Sequence, residues 1–376
     1  MLMRMARIYL DYNASTPIDP LVASAMQPLL KEWYGNPSSG HWASVPAKVA
    51  LENARVKVAV LLGCASDEIV FTSGGTEANN LALKGLFFRR CGRPSHVITS
   101  QIEHPATLEP CSFLGELGAK ITPVRVDGTG LVDPDDIRRA ITSDTFLISI
   151  MHANNEVGTI QPIVEISKIA YEHGIPLHTD AAQSVGKIPT KVDELGVALL
   201  SVAGHKVYAP KGIGALYVRR GIELEPLIHG AGHEGGRRAG TESALLATAL
   251  GAACDVAQSW IGTPRLERLR DLFWELLQAA FGNRVVLNGH PGSRLPNTLN
   301  VSFVDRVGAD ILARMPRVAA STGSACHAGE ITLSPVLRAM GIAPEIGMGA
   351  IRFSLGRNTT QEQIEEVVEQ LTRIVR

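Results

Sequence analysis

The sequence predicts an α/β fold, a large unit on a mainly parallel central sheet followed by a smaller α+β unit. Three observations lead there. Short strand patterns alternate with helical patterns through the first two thirds of the 376 residues. One of them, Thr145-Phe146-Leu147-Ile148-Ser149-Ile150, is an apolar run suited to a parallel strand covered on both faces. After Thr241 the pattern shifts to long Ala/Leu-rich helices with a few later strands.

Residues 68–72 read as a strand, and Ser73-Gly74-Gly75 turns into a helix expected to run through Leu86. Further strands are expected at 96–99, 145–150, 199–202 and 213–218, and one ends at the acid of His178-Thr179-Asp180. Helices such as 162–173 fill the gaps. Then come a helix over 242–259, a second through Phe281, strands at 285–287, 299–303 and 351–354, and an amphipathic helix over 360–375. The boundary falls within 256–264. Residues 15–257 are expected to form the large unit, and 1–14 with 258–376 the small one. Internal repeats and low-complexity linkers are absent.

Composition narrows the function classes. The chain is 45% hydrophobic, enough for one large core or two unequal ones. Thirty-six basic against 37 acidic residues leave a net charge of -1, which argues against a dedicated nucleic-acid or anionic-membrane binder. The cysteines Cys64, Cys91, Cys111, Cys254 and Cys326 are odd in number, scattered and free of CxxC pairs, so neither a zinc ribbon nor a disulfide framework is expected. The first residues lack the apolar core of a signal peptide. No stretch approaches the roughly 20 apolar residues of a membrane span. A reducing, cytoplasmic setting is the expectation.

The strongest chemical signal is a pair of strand ends. Ser201-Val202-Ala203-Gly204-His205-Lys206 delivers a lysine, and His178-Thr179-Asp180-Ala181-Ala182-Gln183 an aspartate. A lysine that bonds an aldehyde and an acid that keeps a pyridine nitrogen protonated suit pyridoxal phosphate. Ser73-Gly74-Gly75-Thr76-Glu77-Ala78-Asn79-Asn80 offers a glycine turn and a helix N-terminus for a phosphate. His104, in Glu103-His104-Pro105, emerges at the carboxyl edge of the sheet, where its ring can stack on a ligand or shuttle a proton. Asn155 ends another strand at that edge and can donate to an anionic oxygen. Gly235-Gly236-Arg237-Arg238-Ala239-Gly240-Thr241-Glu242 suits an anion site or a subunit contact. Arg352 and Ser354 share one strand face, and a guanidinium clamps a carboxylate. Cys326, in Ser324-Ala325-Cys326-His327-Ala328-Gly329, has the small, polar flanks of a reactive thiol, whereas the other four cysteines read as buried hydrophobes. Each motif alone has a commoner structural explanation, such as a capped turn, a solvated charge or a surface ion pair. An electron sink together with a lone loop thiol points to chemistry on a sulfur- or selenium-bearing amino acid.

These blocks resemble the cysteine desulfurases of the NifS/IscS type, within the aminotransferase-like pyridoxal phosphate enzymes, over nearly the whole chain from Tyr9-Leu10-Asp11-Tyr12-Asn13 to Arg357. The resemblance implies Lys206 as the Schiff-base lysine, Asp180 as partner of the ring nitrogen, Gln183 as donor to the ring oxygen and His104 as the stacking group. Gly75, Thr76, Ala203 and His205 match phosphate-binding positions. Thr241 matches a threonine that reaches the neighbouring subunit's phosphate, which implies a homodimer. Asn155, Arg352 and Asn13 match positions that hold cofactor or substrate. Cys326 matches the persulfide-forming cysteine, and is also the single candidate ligand for an iron–sulfur cluster. L-cysteine as substrate, a persulfide-accepting partner protein and sulfurtransferase activity follow as expectations. Two departures are present: Ala203 stands where the family often has serine, and Gly235 where it usually has arginine. His327 resembles the residue after the cysteine in selenocysteine lyases, which makes such a lyase the nearest rival. An aminotransferase that does not need Cys326 and a non-enzymatic sulfur carrier are more distant. The chain also ends soon after its last helix, short of the tail with which housekeeping members dock an iron–sulfur scaffold.

Overall fold

The computed structural model describes residues 7–90, 92–322, 326–327 and 330–375, with the backbone alone at 326–327 and 330–331. Seven strands form the central sheet in the order Ile69–Thr72, Gly214–Val218, Leu199–Ala203, Leu177–Asp180, Thr145–Ser149, His96–Ser100, Lys120–Val124. The last five in that order run parallel to one another. Gly214–Val218 is antiparallel to both its neighbours. Its position follows from chain length, because the connection 204–213 is too short for the crossover that a parallel partner needs.

Every residue of Thr145–Ser149, Leu199–Ala203 and Gly214–Val218 is buried. Alternate side chains enter opposite cores. Leu200, Val202 and Tyr217 pack with helices Val45–Leu62, Ile163–Glu172 and Ala244–Gln258. Leu199, Leu216 and Val70 pack with Gly75–Arg89 and Pro105–Glu116. Helices Val45–Leu62 and Ala244–Gln258 approach so closely that a Cβ on Gly251 would sit 2.7 Å from Ala54 Cα. Glycine is therefore required at that crossing.

The helix expected at 242–259 spans Ala244–Gln258, with the Ser243 hydroxyl accepting from Leu246 N. That expected at 162–173 spans Ile163–Glu172. A second, antiparallel sheet has the order Ala350–Ser354, Thr298–Phe303, Val285–Asn288. Helices Arg265–Phe281 and Gln361–Val375 cover it, and the ring pairs Phe273–Phe353 and Phe281–Phe303 lie 4.9 and 5.3 Å apart at their centroids. Ile8 and Leu10 belong to this core. Past them, the segment ties the two sheets together: Ser354 N donates to Leu10 O at 2.8 Å, and Thr16 N to His205 O at 2.9 Å. Asn13 is thereby drawn between them. Where the sequence reads as loop, Cys326–His327 pairs antiparallel with Glu330–Ile331. No helix among the described residues is long and apolar enough to cross a membrane.

Candidate active site

Parallel strands align their carboxyl ends, so side chains that follow adjacent strands meet at one edge. Four neighbouring strands end that way here. Leu199–Ala203 leads to Lys206, Leu177–Asp180 ends in Asp180, Thr145–Ser149 leads to Asn155, and His96–Ser100 leads to His104. They open on a cavity of about 400 Å³ whose lining includes Asn13, Gly75, Thr76, His104, Asn155, Asp180, Gln183, Ala203, His205, Lys206 and Arg352. Thr241 is elsewhere. It is exposed and lines a separate cavity of about 210 Å³ with Thr72, Ser73 and Arg238. Gly235, with φ +65°, borders a third cavity beside Arg55 and Arg237, away from Lys206 in this chain. The Cys326 side chain, Cys91, Ser324 and Ala325 lie outside the described residues.

Lys206 is turned into the cavity by the single helical turn Gly204–Lys206. Burial lowers its pKa most; the Asp180 charge opposes that shift and the Arg352 charge adds to it, leaving the amine below the usual lysine range. Such an amine is a better nucleophile at neutral pH. Asp180 is buried and oriented by two donors, Asn79 Nδ2 at 2.7 Å and the Ala182 backbone N–H at 2.9 Å.

His104 Nδ1 accepts from Ala106 N at 3.0 Å and so caps helix Pro105–Glu116. That bond assigns the neutral tautomer with its proton on Nε2. Burial, then the Lys206 charge, holds its pKa below the usual histidine range. A flat neutral ring held at this position presents its face and Nε2 to the site.

Helix Gly75–Arg89 starts at Gly74 without a side-chain cap, which leaves first-turn N–H groups open to an anion. A Cβ on Gly75 would lie 3.2 Å from Ala203 Cβ, so two small residues keep this floor clear. His205 is held neutral at pH 7, its pKa pushed down to about 4 by burial and then by Lys206 and Lys211. Open helix N–H groups at one end and a lysine and an aspartate at the other match a phosphate-bearing pyridine aldehyde. These residues fit pyridoxal phosphate.

Arg352 donates from Nη2 to Asp11 Oδ1 at 2.7 Å and from Nη1 to the Asn155 carbonyl at 2.9 Å, while its buried Nε has no partner. The side-chain amide of Asn155 has no partner among the described residues, which leaves it free for a ligand. Asp11 also accepts from Ser321 Oγ at 2.9 Å. Asp11 and Asn79 stood inside recognisable motifs, yet nothing local marked them as partners of Arg352 and Asp180. Glu103 was missed as well. It is buried, accepts from Ser100 Oγ at 2.6 Å and Met151 N at 2.9 Å, and burial pushes its pKa up to about 8. Burial pushes the His152 pKa down to about 4. The thiols of Cys64, Cys111 and Cys254 are all pushed up to about 12, first by burial, which makes them poor nucleophiles. Among the described residues no group of three or more His, Cys, Asp or Glu side chains is placed to hold a metal ion.

The chain matches known proteins in sequence and in fold. The family model described as aminotransferase class-V matches residues 8–367. Cysteine desulfurase IscS of Dictyoglomus turgidum is 49% identical over 372 residues, covering 98% of this chain and 94% of its own. Among solved structures, a NifS-like protein superposes with a TM-score of 0.91 at 35% identity, covering 98% of this chain and 99% of its own. SspA in complex with cysteine superposes with a TM-score of 0.83 at 40% identity, covering 93% and 98%.

Proposed function

The chain belongs to the class-V aminotransferase family, in its cysteine desulfurase branch of the NifS/IscS type, and from that premise we propose which residues carry the removal of sulfur from L-cysteine to give L-alanine. Bound pyridoxal phosphate supplies an aldehyde that bonds to amines and a ring that takes up the electron pair released at Cα. The open N-terminus of helix Gly75–Arg89, with Thr76 and His205, holds the phosphate. Asp180, oriented by Asn79, keeps a proton on the ring nitrogen. His104 covers the ring, and Gln183 donates to its phenolic oxygen. Arg352, with its unpaired Nε and the free amide of Asn155 beside it, takes the substrate carboxylate. Lys206 moves the proton at Cα, a role its lowered pKa supports. The Cys326 thiolate attacks the substrate sulfur. As the new S–S bond forms, the Cβ–S bond breaks, and the pair left at Cβ becomes a C–H bond of alanine. The persulfide on Cys326 then passes to an acceptor protein, including one that builds iron–sulfur clusters.

Convergence of Lys206, Asp180 and Arg352 on one cavity carries this reading. It is tested by incubating the cofactor-loaded protein with L-cysteine. Alanine and a single added sulfur on the peptide bearing Cys326 should appear in equal amounts. Turnover that persists undiminished in Lys206→Ala, or a selenocysteine rate that persists where the cysteine rate vanishes, would overturn it.

The active form is a homodimer in this reading. Thr241 lies apart from its own chain's Lys206 cavity and completes the partner's phosphate seat. Exposed Val45, Val49, Val56 and Val60 along one helix, next to exposed Trp42, supply an apolar face for the contact. Residues 15–257 form the cofactor-binding unit, and 1–14 with 258–376 the second unit; their separate apolar cores support that division. A reducing, cytoplasmic compartment accords with the free thiols of Cys64, Cys111 and Cys254.

A further inference from the structure

Lys187 is a second lysine beside Lys206 that no step above uses. Its Nζ donates to Gln183 Oε1 at 2.9 Å and to Asn13 Oδ1 at 3.1 Å. Among the described residues it has no carboxylate partner. The charges that face it are the cations of Lys206 and Arg352. Tyr12, Tyr208 and Arg357 line a small cavity on its other side. Burial, then those two cations, holds the Lys187 ammonium well below the usual lysine range. A lysine in such a place, with no counter-charge among the described residues, calls for a function.

An ammonium group donates three hydrogen bonds and accepts none. The two amide oxygens must therefore face Lys187, which fixes the flip of both side chains. Gln183 Nε2 is consequently turned the other way. One of its hydrogens goes to the Asn13 carbonyl at 3.0 Å, and the second is left for the cavity that Gln183 lines. Asn13 Nδ2 donates to Thr298 Oγ1 at 2.8 Å and to the Asn155 carbonyl at 3.3 Å. Arg352 Nη1 donates to that same carbonyl.

We propose that Lys187 is a positioning residue. Through Gln183 it aims a donor at the phenolic oxygen of the cofactor ring, and through Asn13 and Asn155 it sets the arginine that holds the substrate carboxylate. This rests on the reading of the cavity as the pyridoxal phosphate site. The anionic ring oxygen of the bound cofactor would supply the counter-charge that the described residues do not.

The test is a pH titration of the visible absorbance of the cofactor-loaded protein, in wild type and in Lys187→Met. Loss of a cation and of an oriented donor both favour the protonated form of the nitrogen joining Lys206 to the cofactor. The midpoint should rise by about 1 pH unit in Lys187→Met. The KM for L-cysteine should rise on the order of tenfold, with kcat less affected. Lys187→Arg should bring the midpoint most of the way back. A fully loaded Lys187→Met protein with an unmoved midpoint overturns the proposal, because a merely structural role changes stability and loading but not that midpoint. If Lys187→Met does not fold, Lys187→Gln keeps a donor toward Gln183 without the charge, and it too must shift the midpoint upward; no shift there overturns the proposal equally. A wild-type protein with no visible cofactor band fails the function reading itself. A normal wild-type band with unmoved variants fails this inference alone.

Discussion

At Lys206 the amine stands between burial and the Arg352 cation, which press its proton off, and Asp180, which retains it. In the proposed reading, Lys206→Ala removes the amine that bonds the cofactor. We expect the variant to lose the borohydride-sensitive absorbance and essentially all alanine production, measured by amino-acid analysis. Asp180→Asn should keep the cofactor but lose several orders of magnitude in kcat, since each ~1.4 kcal/mol of barrier is tenfold. Asn79→Leu should lose less than Asp180→Asn, because the Ala182 N–H still holds the carboxylate. Glu103 has a different signature. Its folded-state pKa, pushed up to about 8, lies above that of an exposed glutamate. Its contribution to stability is thus complete at low pH and is lost as pH rises from the ordinary carboxylate range through about 8. Glu103→Gln should flatten the fall of stability over that window by up to about one proton in the linkage slope. An unchanged slope in denaturant melts at several pH values would mean that Glu103 is ionised in the folded protein.

At the level of elements, the glycine-rich turn before helix Ala244–Gln258 is fixed by an ion pair that its sequence does not announce. Arg55, on helix Val45–Leu62, meets Glu234 through two bonds of 2.8 Å, and Glu234 also accepts from Phe71 N. Both side chains are nearly buried, and Glu234 takes φ +50°. Glu234→Ala leaves the nearly buried guanidinium with only the Ile69 carbonyl at 2.9 Å and the exposed Glu52 carboxylate at 3.7 Å, so urea unfolding should show a loss of about 3 kcal/mol. The segment bearing Cys326 carries the other element-scale test. Cys326→Ser should still bind cofactor and cysteine yet fail to release sulfur, because a serine hydroxyl is a far poorer nucleophile towards sulfur than a thiolate. Iodoacetamide should label Cys326 well ahead of Cys64, Cys111 and Cys254, whose thiols are pushed up to about 12. Labelling of all four at equal rates would count against a reactive Cys326. Helix Ala244–Gln258 was legible to within a few residues, because it is set by the periodicity of its own residues, whereas helix Val45–Leu62 and the pairing of Cys326–His327 with Glu330–Ile331 were not read from the sequence. The antiparallel course of Gly214–Val218 was not legible either, since direction depends on how the preceding connection, residues 204–213, closes.

For the whole molecule, the shared-site reading makes a sharp demand. A protein kept monomeric, for instance by charged residues at Val49 and Val56, should lose activity while each subunit stays folded by circular dichroism. Mixed Lys206→Ala and Thr241→Ala subunits should regain part of it through hybrid sites. A fully active monomer in analytical ultracentrifugation would refute the shared phosphate seat.

Sequence alone determined the α/β class and the strand-end identity of Lys206, Asp180 and His104, because a strand, its turn and the residue that follows are contiguous and shaped by local physics. It also marked Gly75, Thr76 and Arg352 as candidate binding residues through their motifs, and all three line the cavity that holds Lys206. The tertiary structure decided which charges face one another. Asp11 reaches Arg352 across 341 positions of sequence, Arg55 reaches Glu234 across 179, and Asn79 reaches Asp180 across 101. It also placed Lys187 against Gln183 and Asn13 with no carboxylate partner among the described residues. Such pairings depend on packing of distant segments, and no periodicity or turn signal along the chain encodes them.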